Sequence, residues 1–138
     1  MLSLCYKIYL KLGECKRRIR LPMDVYLLLR KLGITANYIG YQYLVRAIEL
    51  VLDNQDNLLL ITKNIYMTIA KEYGTKTCNV ERALRTVVQV CWERGNRQFL
   101  GEIAGYTLLQ KPNTSSFIDM LSGYILRQRE EAKIAFRR

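Results

Sequence analysis

Glu81, Arg82, Arg85, Thr86 and Gln89 follow one another at steps of one, three, one and three residues, in a stretch free of Gly and Pro. On an α-helix those steps place all five on one face. Their chemistry suits the edge of a base pair. An Arg guanidinium can bond guanine O6 and N7 as a fork, and a Glu carboxylate can accept from cytosine N4. Asn79 suits an adenine edge or a phosphate, and Cys78 stands beside it at the start of the same segment. Lys76 upstream and Arg94 downstream (with Arg97 as the alternative) are cations suited to phosphates, contacts that set register rather than sequence. The plain alternative is that Glu81 and Arg85 form an ordinary i,i+4 pair on a solvated helix.

Other chemistries are poorly supplied. The 138 residues include no His, which removes the commonest general base and the Ser/His/Asp and Cys/His arrangements. The four Cys form no C-x-x-C pair, so zinc spacings are missing and reduced, cytoplasmic thiols are expected, with Cys91 in the core. There are no paired carboxylates and no Gly-rich phosphate loop. The expectation is a protein that is not an enzyme and uses no cofactor and no metal. No apolar run approaches the roughly 18 residues of a membrane-spanning helix. Lys7 and Lys11 interrupt the apolar Met1 to Leu12, and the charges of Lys16 to Arg20 follow it, the reverse of a signal peptide.

The net charge of +10 is unevenly spread: residues 1–20 carry +5, 21–74 are neutral, 75–97 carry +3, 98–126 carry −1 and 127–138 carry +3. An excess of this kind favours a polyanion, either nucleic acid or an anionic membrane surface. It also coincides with the Lys76–Arg97 segment.

The elements that must hold these residues are helical. Half the residues are apolar, enough for one domain with a core. Asp24 is expected to cap a short helix through Val25, Leu28, Leu29 and Leu32 to Gly33. In 41–53, Tyr41, Leu44, Val45, Ile48, Val51 and Leu52 form an apolar stripe, with Gln42, Arg46, Glu49 and Asp53 opposite. In 57–73, Leu58, Ile61, Ile65, Ile69 and Tyr73 repeat the pattern, and Gly74 fits a left-handed stop. Thr75, Lys76 and Thr77 make a turn, with Thr77 as N-cap of a helix over 78–94. That helix buries Val80, Ala83, Leu84, Val87 and Cys91, with Val88 and Trp92 beside them. A short helix over 97–104 ends at Gly105. Gln110–Ser116 reads as a loop, and a last helix from Thr114 or Ser115 holds Phe117, Ile118, Leu121 and Ile125. The fold class expected is all-α: a compact bundle of about six helices containing a helix-turn-helix. The divisions are a basic arm over 1–22, a helical domain over 23–126, and a charged extension of the last helix over 127–138. In a helix-turn-helix the second helix enters the major groove with its N-terminal residues, here Thr77 to Arg94.

The stretch from about Leu27 to Ile125 resembles the C-terminal effector domain of the stage zero sporulation protein A family, bacterial response regulators. The resemblance is carried by Gly40-Tyr41-Gln42-Tyr43-Leu44, Ile61-Thr62-Lys63, Ile69-Ala70-Lys71-Glu72-Tyr73, Val80-Glu81-Arg82-Ala83-Leu84-Arg85, Trp92-Glu93-Arg94-Gly95-Asn96 and Gly105-Tyr106-Thr107, and covers roughly 100 of the 138 residues. It implies a compact bundle with an internal helix-turn-helix that binds boxes resembling TGNCGAA, often in tandem, and regulates sporulation genes from the nucleoid. Glu81, Arg82 and Arg85 match the types on the family's recognition helix. The family's preceding Ser-Arg pair is replaced by Cys78-Asn79, one charge fewer. The 97–104 helix and the loop after it resemble the region that contacts an RNA polymerase sigma subunit, with divergent residues at Gln98-Phe99-Leu100-Gly101-Glu102. Tandem boxes would bring two copies together as a homodimer on DNA, with Tyr124 and Ile134, expected to be exposed, at the contact. The family also carries a phosphoryl-accepting receiver domain. Residues 1–22 are too short to supply one, so the expectation is a stand-alone effector, or one whose receiver has been lost or left out.

Two other readings compete with sequence-specific binding of double-stranded DNA. One is a helical interaction module that titrates a partner such as RNA polymerase or a related regulator. The other is a protein of the membrane surface, held by its basic termini.

Overall fold

The computed structural model describes residues 25–137, and 135–137 only as helical backbone. The arm expected over 1–22, the Asp24 cap, Cys5 and Cys15 lie outside the described residues. Among the described residues there are six α-helices and no strand, an all-α bundle.

Helix α1 (Val25–Lys31) buries Val25, Leu28 and Leu29, and the chain turns at Gly33. Helix α2 (Ile39–Asp53) is the hub of the core. It begins two residues earlier than the apolar stripe suggests, after an extended Tyr38, and buries Tyr41, Leu44, Val45, Ile48 and Val51 as expected. Its outer face is less simple. Glu49, expected opposite the stripe, is only 4% exposed. Its carboxylate lies 3.5 Å from Arg46 Nη1, and its Oε2 atom has no hydrogen-bond partner. The same Arg46 donates to both Glu72 oxygens, at 2.8 and 2.9 Å. A helical wheel drawn for α2 alone does not anticipate this burial.

The region expected as one helix over 57–73 is three conformations in succession. Asn54 leaves α2 in extended geometry and its side chain accepts from Asp56 N, opening a 3₁₀ turn over Gln55–Leu60. A π turn over Thr62–Tyr66 comes next, and then helix α3 (Met67–Tyr73). The apolar steps from Leu58 to Tyr73 are three, four, four and four residues, on average slightly wider than the 3.6 of an α-helix. A π turn adds a residue to one turn and absorbs that excess, so Ile65 and Ile69 both stay fully buried.

Helix α4 (Thr77–Arg94), helix α5 (Arg97–Ala104) and helix α6 (Thr114–Arg137) complete the bundle. Helix α6 starts at Thr114, one of the two starts expected, and the Asn113 side chain caps it by accepting from Ser116 N at 2.8 Å. Phe117, Ile118, Leu121 and Ile125 are fully buried along α6, each worth about 1.5–3 kcal/mol of transfer free energy. Tyr124, expected to be exposed, is half-buried with its ring edge-on to Phe99, whereas Ile134 is exposed.

Candidate nucleic-acid interface

Helix α3 stops at Gly74, whose φ of 65° is left-handed. Such backbone strains any side chain with a Cβ. The Thr75 amide closes the stop by donating to Ala70 O at 2.9 Å. Lys76 is the N-cap of α4, with extended backbone and no side-chain cap bond. Thr77, expected to be the cap, is the first helical residue. The Lys76 carbonyl receives Asn79 N and Val80 N at 3.0 and 3.2 Å, and the Lys76 side chain is exposed.

One face of α4 is fixed in the core. Val80, Leu84, Val87 and Cys91 are fully buried, and Ile65 and Ile69 are buried in the same core. Burial pushes the Cys91 thiol up to about 11. Gly40 of α2 lets α4 come close: a Cβ there would stand 2.4 Å from Ala83 O and 2.6 Å from Val87 Cγ2. Tyr66 of the π turn is buried near α4. Desolvation raises its phenol above the usual range, Glu81 adds to the rise, and Thr114 and Arg85 oppose it.

The opposite face carries the residues singled out by spacing. Cys78, Asn79, Arg82, Arg85 and Thr86 are exposed, and Glu81 and Gln89 are partly so. Their states differ. Asn79 Nδ2 donates back to Thr75 Oγ1 at 3.1 Å. Glu81 and Arg85 form the i,i+4 pair, at 2.6 Å. Thr86 Oγ1 donates to Arg82 O at 3.0 Å. Gln89 Nε2 donates to Glu93. Arg82 and Arg94 extend into solvent on this helix. Arg97, the alternative phosphate ligand, stacks over Trp92 at 4.1 Å from the ring centroid and donates to Trp92 O.

One cation beside this face was not apparent from the linear spacing. Lys111, in the connection between α5 and α6, donates to Gln89 Oε1. A Lys-Pro pair before a helix start is its local signature, but nearness to α4 depends on the whole path through α5. Among the described residues no group of three or more His, Cys, Asp or Glu side chains could hold a metal ion. No helix among them is long and apolar enough to cross a membrane.

The arrangement is a rigid helix, anchored along one side and preceded by a tight turn, with guanidinium, carboxylate and amide groups on its free side. Residues 25–125 of the 138 match the family model described as "Sporulation initiation factor Spo0A C terminal".

Proposed function

The chain belongs to the Spo0A C-terminal family of sporulation initiation factors, and from that premise we propose that it binds double-stranded DNA sequence-specifically as a transcription regulator on the nucleoid. The single observation that carries the reading is the outward face of α4, solvent-facing along its length while Leu84, Val87 and Cys91 behind it are fully buried. Held in this way, α4 enters the major groove with its N-terminal turns leading. Arg82 takes a guanine edge, and Glu81 a cytosine amine once Arg85 has turned to a phosphate. Lys76 and Arg94 contact the backbone and fix register. Asn79, tied to Thr75, stays close to the turn and reaches a phosphate or an adenine edge from there. Cys78 and Thr86 line the same face.

The functional unit is residues 23–126, with 127–138 extending α6. Boxes resembling TGNCGAA, singly or in tandem with a second copy alongside, are the proposed targets. The connection after α5 supports a second contact, with a polymerase sigma subunit: Leu109 is 92% and Tyr106 63% exposed. If that contact is the main one, the chain is an interaction module that titrates the polymerase or a related regulator.

Fluorescence anisotropy on a box duplex and a scrambled duplex, at two salt concentrations, decides. Tight binding confined to the box supports the proposal. Equal, steeply salt-dependent binding to both would leave only a basic surface. No binding to either would replace the DNA reading by the titration reading.

A further inference from the structure

The ammonium of Lys111 stands 2.5 Å from Gln89 Oε1, and Gln89 Nε2 donates in turn to Glu93 Oε1. The segment that delivers Lys111 is well fixed. Pro112 restricts its own φ. Asn113 O accepts from Phe117 N at 2.9 Å while the Asn113 side chain accepts from Ser116 N at 2.8 Å. Phe117 and Ile118, fully buried, anchor the first turns of α6. Lys111 itself is exposed and, among the described residues, enters no ion pair. A full positive charge is therefore held beside the outward face of α4 by a neutral amide alone. Gln89 lies four residues from Arg85 and seven from Arg82, on the same helical face.

Resting on the DNA reading above, we propose that Lys111 is a phosphate contact of the DNA interface and that Gln89 is its positioning residue, not a base reader. Both ends of the Gln89 amide are engaged, the oxygen by Lys111 and the nitrogen by Glu93. A forked contact to adenine would need both ends free. A phosphate oxygen forms a charge-assisted bond to an ammonium, roughly twice as strong as a neutral one, so it displaces an amide oxygen readily. Gln89 also stands between Lys111 and the Glu93 carboxylate, leaving the ammonium available to a phosphate. The DNA-facing surface thus extends from the helix-turn-helix onto the connection before α6.

The test is anisotropy titration of the full chain against the box and scrambled duplexes over a series of salt concentrations, with thermal midpoints as a check on folding. Lys111→Ala is expected to weaken both duplexes alike and to lower the slope of log K against log salt by about 0.9, while Lys111→Arg keeps the slope. Gln89→Ala should lower it in the same sense and add nothing in the Lys111→Ala background. An unchanged slope in Lys111→Ala overturns the proposal, as does a loss confined to the box duplex. If Gln89→Ala abolishes box selectivity while Lys111→Ala keeps it, Gln89 is a base reader and the positioning role falls. Absence of binding by the unsubstituted chain removes the DNA reading itself, and this inference with it.

Discussion

Arg82 and Arg85 stand on one face of α4 and differ in what holds them. Arg85 is tied to Glu81 at 2.6 Å, with the two side chains 62% and 45% exposed. Such an exposed i,i+4 pair contributes about 0.3–0.5 kcal/mol, so DNA can open it at little cost and free both groups. Arg82 has a carboxylate neighbour in sequence but no ion pair with it in the structure. Its guanidinium is already available, which makes it the better base reader of the two. Arg82→Ala is expected to weaken binding to the box by about 1–3 kcal/mol and to relax the preference at one base position. Stability should move by less than about 0.5 kcal/mol, because the site is an exposed helix surface and Ala is a good helix former. Titration against duplexes with each box position changed in turn measures this. Equal losses on every duplex would instead make Arg82 a phosphate ligand.

At the scale of elements, the pose of the α3–α4 pair depends on two contacts with α2. Gly40 permits the close crossing, since an added Cβ would lie within 2.6 Å of the backbone and a side chain of α4. Gly40→Ala is therefore expected to destabilise the fold by about 1–3 kcal/mol, the usual cost of overpacking, and to weaken DNA binding further by tilting α4. Denaturant melts and the anisotropy assay run on the same sample check both, and an unchanged melt would show that the crossing can relax. Arg46 is the other contact, joining α2 to α3 through Glu72 and standing beside the buried Glu49. Arg46→Met removes the guanidinium from both and leaves the buried Glu49 carboxylate without its cation, at an expected cost of about 1–3 kcal/mol, read as a shift in the denaturant midpoint. Apolar spacing was enough to place α2, α4 and the core of α6, since each depends on one continuous stripe. It was not enough for residues 55–66, where 3₁₀, π and α turns accommodate nearly the same apolar steps. Nor could it tell that Lys76 rather than Thr77 caps α4, a choice made by one backbone torsion.

The features least legible from spacing are those made by the whole molecule: Glu49 is buried although its spacing places it opposite the apolar stripe, and Lys111 meets Gln89 only because α5 and its connection fold back. The pH response belongs to this scale as well. With no His in the chain, no side chain of ordinary pKa titrates between about pH 5 and 8, and stability is expected to be level there. On the acid side the Arg46 guanidinium holds Glu72 below the ordinary carboxylate value of 4.5. A lowered folded pKa contributes stability above the unfolded value that is lost as the pH falls through the folded one. Glu72→Gln should therefore give a shallower fall in stability below about pH 4.5. On the alkaline side Cys91 carries the clearest effect. Burial raises its thiol from 9.0 to about 11, so above pH 9 the unfolded chain loses a proton that the folded chain keeps. Its contribution is complete below pH 9 and disappears as the pH rises to about 11, an amount of about 2–3 kcal/mol for two units. Tyr66 and Tyr73, also raised by desolvation, lose stability in the same direction but begin near 10. Denaturant melts of the unsubstituted chain and Cys91→Ala at intervals from pH 8 to 11 separate the two, because the tyrosines are common to both proteins and cancel in the difference. Cys91→Ala is expected to be less stable at pH 8, through the cavity it leaves, and to close that gap by about 2–3 kcal/mol as the pH rises. Parallel curves would mean that solvent reaches the thiol when α4 is in place, and that the anchored side of the helix is looser than its packing indicates.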